Sequence, residues 1–155
     1  MFKILDEVCT PKRGTKYSAA IDLYAREDVV IGAGETVLVP LGVCLEYDKF
    51  PIYLKNNLDK FYLQLEPRSS LRAKGLIAGT GIIDIDFKQE IQLILSNPVG
   101  NHFAYMSENS IFSTNKYKIS KGDKIAQIML KGHKTYLIGI STEDKRVGGF
   151  GSTDK

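Results

Sequence analysis

From Val37 to Tyr47 the apolar residues recur at every second position: Val37, Val39, Leu41, Val43, Leu45 and Tyr47 share one face. Pro40, Gly42, Cys44 and Glu46 share the other, with Leu38 the exception. A period of two marks extended backbone with one buried face, because successive side chains of a strand point to opposite sides. Pro40 and Gly42 predict a bend, so the stretch reads as one half-buried strand or a bent pair. Phe61 to Leu65 alternates in the same way, and Ile91 to Leu95 is a near-continuous apolar strand. Lys124 to Leu130 and Thr135 to Ile140 are predicted to complete the set.

Turn signals separate these runs at Gly32-Ala33-Gly34, Asn56-Asn57, Pro98 to Asn101, Lys121-Gly122-Asp123 and Lys131-Gly132. Many short strands punctuated this often predict an all-β sandwich or barrel rather than alternating helices and strands. One short helix is expected from Ser69-Ser70, ending at Gly75 as a C-cap. Two stretches, Asp48 to Lys60 and Gly100 to Lys116, lack clear periodicity and read as excursions from the core. Thr142 to Lys155 is polar and Gly-rich with one aromatic, Phe150, and is expected to be a mobile tail following a domain at residues 1–141.

With 155 residues, the chain fits one domain that can bury a core without staples. The net charge of +3 is compatible with an anionic ligand, but there is no dense basic stripe to predict nucleic-acid binding. The Lys-rich stretch from Lys116 to Lys124 is interrupted by Tyr117, Ile119 and Asp123 and reads as a solvated strand edge. Cys9 and Cys44 have no C-x-x-C spacing and are expected as free thiols. His102 and His133 lack the neighbours of a zinc site or a triad. No run has signal-peptide character or approaches 18 apolar residues, so a soluble, intracellular protein without membrane contact is expected.

Neither a G-x-x-x-x-G-K-[ST] loop nor a helix-opening G-x-G-x-x-G is present. Chemistry concentrates instead in five short segments. Pro67 fixes the backbone before a helical turn carrying Arg68, Ser69 and Ser70; an Arg fork, two hydroxyls and helix N–H groups suit an anion, with an ordinary N-cap at Ser69 as the alternative. Asp84 lies among Ile82, Ile83 and Ile85, and on a strand Asp84 and Asp86 would share a face able to hold a water or a hydrated cation. A turn Asp is the alternative. Gln127 is the single polar residue within Ile125 to Leu130, so its amide is expected to reach a partner. In the tail, Phe150 offers a ring to a base, Lys145 and Arg146 offer charge, and Ser152 and Thr153 offer hydroxyls.

The segments Ala19 to Ala25, Glu66 to Leu71, Gly81 to Phe87, Gly122 to Gln127 and Gly148 to Thr153, in this order, resemble the five motifs of the trimeric dUTPase family. The match runs from about Ser18 to Thr153. Its most specific pieces are Pro-Arg-Ser-Ser-Leu, Gly-x-Ile-Asp-x-Asp-aromatic, Gly-Asp-Lys-Ile-Ala-Gln and Gly-Gly-Phe-Gly-Ser-Thr. The resemblance implies a jelly-roll-like β-barrel and a homotrimer with three active sites at subunit interfaces. It also implies Mg2+-assisted hydrolysis of dUTP to dUMP and pyrophosphate, which keeps uracil out of DNA and supplies dUMP for dTMP synthesis.

By the same resemblance, Asp84 would orient and deprotonate the water that attacks the α-phosphorus. Phe87 would pack on the deoxyribose and exclude a 2′-hydroxyl. The backbone at Gly81 and Ile82, with that near Gln92, would read the uracil edge. Arg68, Ser69, Ser70 and Gln127 would hold phosphate oxygens from a neighbouring subunit, and Asp22 would support the metal through water. Phe150 would stack on the base as the tail closes, with Gly151, Ser152 and Thr153 beside it.

The chain departs from the family pattern at several points. Ala20 replaces a usual Gly, Phe87 a usual Tyr, Lys88-Gln89 a frequent Arg-Gly, and Asp154 a final Gly. The usual tail Arg falls at Lys145, with Arg146 one residue later, and either could meet the γ-phosphate. The two excursions look like insertions. A related dCTP deaminase would use a Glu near the base where this chain has Asp84. A non-catalytic nucleotide-responsive binding protein on the same fold is the other alternative, with the insertions as its contact surface.

Overall fold

The computed structural model describes residues 1–98 and 116–138. Alternation becomes strands as expected. β1 (Phe2–Ile4), β2 (Lys12–Arg13), β3 (Ile21–Tyr24), β4 (Val29–Ile31), β5 (Thr36–Pro40) and β6 (Val43–Leu45) fill the first third of the chain. β7 (Phe61–Pro67), β8 (Gly81–Asp84), β9 (Gln92–Ser96), β10 (Tyr117–Ile119) and β11 (Lys124–Gly132) follow. The only α-helices among the described residues are α1 (Ile52–Lys55) and α2 (Ser69–Ala73). The Val37–Tyr47 alternation is a bent pair: β5 ends at Pro40, Gly42 takes the left-handed φ of +64°, and β6 begins at Val43.

Every ladder is antiparallel, and most join strands distant in sequence. Five strands run in the order β2-β3-β11-β7-β8, while β1 pairs β6, β4 pairs β10 and β5 pairs β9. This returning connectivity is jelly-roll-like. Among the described residues the ladders do not close into one continuous barrel; the sheets instead enclose a shared core. Leu23, Ile31, Val39, Leu41, Leu93 and Ile125 meet there, each essentially inaccessible to water. Burial of each such side chain contributes about 1.5–3 kcal/mol of transfer free energy.

Some local expectations are corrected. Thr135 to Ile140 has strand-like composition, yet Thr135–Ile138 is a 3-10 turn whose Leu137 and Ile138 are exposed. The apolar pattern there has no neighbouring ladder to join. Lys131-Gly132 is not a turn: β11 continues through Gly132, which pairs with Phe61. The Asp48 to Lys60 excursion is a run of helical turns, including α1, with Leu54 anchored inside and Ile52 and Tyr53 exposed. Residues 100–115 of the second excursion, like 142–155, lie outside the described residues. Both cysteines are free thiols, with Cys9 buried. No helix of the described chain is long and apolar enough to cross a membrane.

Three of the lysines in and after β10 are matched to acids. Lys118 pairs with Asp28, Lys121 with Asp6 and Lys124 with Asp22. The stretch therefore behaves as a charge-balanced edge.

Candidate active site

Central strand β11 organises one half of the site. Its register sets Gln127 opposite Asp22 on β3 and opposite Glu66 on β7. Gln127 Nε2 donates to Asp22 Oδ1 at 3.3 Å, which identifies the partner its sequence context called for. Lys124 Nζ lies 2.9 Å from Asp22 Oδ2. Asp22 is only 8% exposed. Burial pushes its carboxyl up, but the Lys124 and Gln127 hydrogen bonds and the charges of Lys124 and Arg68 together hold it below the usual carboxylate range. This half of the site therefore keeps an ionised carboxylate fixed among two cations and an amide.

Arg68 follows directly from β7, and its backbone N–H donates to Ile125 O at 2.9 Å, tying the turn to β11. Arg68, not Ser69, is the N-cap of α2, and its side chain makes no capping bond. Ser69 and Ser70 are exposed in the first turn. The helix ends as expected near Gly75, which has a φ of +80°.

The other half lies on β8, an edge strand of the five-stranded sheet. A cavity of about 460 Å³ is lined by Gly81, Ile82, Phe87 and Gln92, with Thr80 at its margin. Gln92 Oε1 is itself withdrawn from solvent and meets no hydrogen-bond partner among the described residues, an arrangement that costs about 1–3 kcal/mol.

Asp84 ends β8 and opens onto a larger cavity of about 930 Å³, shared with Asp86, Lys88 and His133. Phe87 is nearly buried and lines both cavities. Asp86 is not on the strand, because β8 stops at Asp84 and a turn follows in which Phe87 N–H donates to Asp84 O at 3.1 Å. The two carboxylates nevertheless line the same cavity.

Within one chain Asp84 and Arg68 stand far apart. Asp84 is opposite Tyr62 at the far end of β7, whereas Arg68 follows Pro67. Five residues of strand separate Tyr62 from Pro67, roughly 17 Å at 3.3–3.4 Å per residue. Lys145, Arg146, Phe150, Gly151, Ser152 and Thr153 lie outside the described residues.

The sequence reading did not anticipate Glu66, Thr80, Lys124 or His133 at these positions. Gln64 and Glu66 share the face of β7 opposite buried Leu63 and Leu65, a polar i, i+2 pair that could have drawn notice. Among the described residues no three His, Cys, Asp or Glu side chains are grouped to cage a metal. An Mg2+ ion keeps much of its hydration and needs no such cage; the ionised Asp22 has the chemistry of an acceptor that could meet one of its waters.

The family model described as dUTPase matches residues 6–154. The deoxyuridine 5'-triphosphate nucleotidohydrolase of Clostridioides difficile is 32% identical over 160 residues, covering 97% of this chain and 94% of that protein. The crystal structure of dUTPase from Streptococcus mutans superposes with a TM-score of 0.62 at 26% identity, covering 84% of this chain and 94% of that one. The dUTPase of phage phi11 of S. aureus, described with a structural Mg(II) ion, shares the fold with a TM-score of 0.68 at 22% identity and covers 97% of each chain. A family match across nearly the whole chain, on an antiparallel fold shared with solved dUTPases, makes this protein a member of the dUTPase family.

Proposed function

We propose that this chain hydrolyses dUTP to dUMP and pyrophosphate, with Asp84 as the general base. Family membership and the names of its relatives support the substrate and reaction. The observation that carries the reading to particular atoms is the smaller cavity, which the edge strand lines at Gly81 and Ile82 with Gln92 beside them. A uracil ring presents both carbonyls and an N–H on its edge, so it can meet backbone groups of Gly81 and Ile82. Phe87 then walls the sugar, and its ring leaves little room for a 2′-hydroxyl.

With the base in this cavity, the α-phosphorus is directed toward Asp84. Asp84 holds a water by hydrogen bond and takes its proton during in-line attack, the contribution expected of a positioned base within 2.6–3.2 Å or one water of its target. Arg68, Ser69, Ser70 and Gln127 hold the phosphate oxygens, and Asp22 keeps Gln127 and Lys124 oriented toward them. Mg2+ bound on the triphosphate neutralises charge that builds on the phosphate oxygens.

The strand-length separation between Asp84 and Arg68 within one chain supports a site shared between subunits, in a homotrimer with three such sites. We further propose that residues 1–141 form the barrel domain and 142–155 a tail. Phe150 would stack on the base, Lys145 or Arg146 would meet the γ-phosphate, and Gly151, Ser152 and Thr153 would pack beside them. Closure of this kind excludes water and strengthens the phosphate contacts.

The test is Asp84→Asn, assayed for pyrophosphate release and for binding of a non-hydrolysable dUTP analogue. Turnover should fall by about 10²–10⁴, the usual worth of a general base, with analogue affinity within a few-fold of the parent. Unchanged turnover would remove Asp84 from the chemistry.

A further inference from the structure

Glu66 accepts three side-chain contacts from three parts of the chain. Gln64 Nε2 donates to Oε1 at 2.7 Å and Thr80 Oγ1 donates to the same oxygen at 2.6 Å. Arg72 Nη2 donates to Oε2 at 2.9 Å in an ion pair. Its side chain is one-fifth exposed, while that of Arg72 is more open. A carboxylate with both oxygens engaged by positioned donors is held in one rotamer, and its hydrogen bonds are stronger than neutral ones.

The placement of these partners gives the cluster its meaning. Arg72 belongs to α2, whose first turn presents Ser69 and Ser70 just after Arg68. Thr80 immediately precedes Gly81, the first residue of β8, and lines the smaller cavity. Glu66 itself lies opposite Gln127 on β11. One carboxylate therefore connects the turn that carries the phosphate-binding groups to the loop that feeds the base-reading strand. The loop from Gly75 to Gly79 between α2 and Thr80 is held by only a few other bonds, including Leu76 N–H to Leu71 O and Ile77 N–H to Ser96 O. Without Glu66 the two ends of this segment would lose their shared side-chain anchor.

We infer that Glu66 is a positioning residue that couples the phosphate turn at Arg68–Ser70 to the base strand at Gly81–Ile82 through Arg72 and Thr80. The inference rests on the proposed placement of the dUTP phosphates and base. Glu66 touches neither. It fixes the distance between the groups that do, so displacement at one end is felt at the other. Because the phosphate turn would serve a neighbouring subunit while the base strand serves its own, Glu66 ties together two adjacent sites.

The test uses the full chain in four variants, Glu66→Ala, Glu66→Gln, Arg72→Ala and Thr80→Val, and the double variants of Glu66→Ala with each of the last two. Each is measured for kcat and KM with dUTP and for amide hydrogen exchange at residues 68–73 and 79–84. Thr80→Val should raise KM about three- to tenfold and Arg72→Ala should lower kcat by about the same factor, each with a smaller change in the other parameter because displacement of one arm reaches the other. Glu66→Ala should do both, and neither partner variant should add more than about twofold on top of it, because contacts in one network are not additive. Glu66→Gln should recover most of KM, since its amide oxygen still accepts from Thr80.

Exchange should speed up in both segments together in Glu66→Ala, and in residues 79–84 as well as 68–73 in Arg72→Ala. If exchange changes stay confined to the mutated segment, or if the partner effects add in full on Glu66→Ala, the coupling is wrong. The exchange measurement does not need turnover. A parent chain that failed to release pyrophosphate from dUTP would therefore overturn the functional reading while the coupling was judged on exchange alone.

Discussion

Asp84 and the Arg68 turn stand at opposite ends of β7, and the proposal that a complete site is shared between two chains can be tested by mixing two crippled proteins. Asp84 is opposite Tyr62, and Arg68 follows Pro67, which places their backbones roughly 20 Å apart along the strand at 3.3–3.4 Å per residue. A base must reach its water within 2.6–3.2 Å, and on the proposed reading Arg68 must meet the same triphosphate, so this spacing favours a site built from two chains. Asp84→Asn and Arg68→Ala should each reduce turnover by about a hundredfold or more when assembled alone. Co-expressed in equal amounts with different tags, the two chains mix at random. Half of the base sides then carry Asp84, half of the phosphate turns carry Arg68, and the two choices are independent in a head-to-tail ring. About one quarter of all sites are therefore intact before selection; purification through both tags removes the unmixed trimers, which hold none, so each mixed trimer keeps one intact site in three and should recover about a third of parental turnover. If each chain built its own site, every site would carry one lesion and no mixture would exceed the sum of its parts. Absence of recovery in verified mixed oligomers would refute the shared-site account.

Two further predictions address stability. The Asp22 carboxyl is held below its ordinary range, so its ionised form contributes stability that is complete above the unfolded pKa of about 3.9 and is lost as pH falls through the depressed folded value. Asp22→Asn should flatten the acid limb of thermal melts below about pH 5, by up to roughly 1.4 kcal/mol per pH unit for one proton, and equal acid slopes would contradict this. Gly42 has a φ of +64°, and a Cβ there would lie 2.5 Å from the Sγ of buried Cys9. Gly42→Ala should cost about 2–4 kcal/mol in urea unfolding, combining left-handed strain with overpacking, and Cys9→Ala in the same chain should recover part of it. A loss below about 1 kcal/mol would show that the bend between β5 and β6 tolerates a side chain.

The strands were legible because burial on one face writes a period of two into the sequence at β5 and β7, while β9 showed as a short, near-continuous apolar run. Thr135 to Ile140 misled for a physical reason. Its β-branched and aromatic residues favour extended backbone, but a strand needs a neighbour to pair with, and Thr135–Ile138 forms a 3-10 turn with its apolar side chains outward. Lys131-Gly132 misled in the opposite direction, since pairing with Phe61 carries β11 through a Gly that reads locally as a turn. Asp84, Arg68 and Gln127 could be singled out as candidates because their motifs are local. The partner of Gln127 could not, because Asp22 is 105 positions away and only the β3–β11 register sets them side by side. Glu66 was hidden for the same reason: Thr80 reaches it only through the fold of an intervening turn.

The central claim is that this fold hydrolyses dUTP and selects it by the base cavity beside Gln92. It is tested most directly by pyrophosphate release measured with dUTP, dTTP, dCTP and UTP side by side, in the presence of Mg2+. The account predicts rapid release from dUTP and far slower release from the other three, because the cavity meets a bare uracil edge and Phe87 leaves no space for a 2′-hydroxyl. Equal turnover of dUTP and UTP, or no release from dUTP at all, would contradict it.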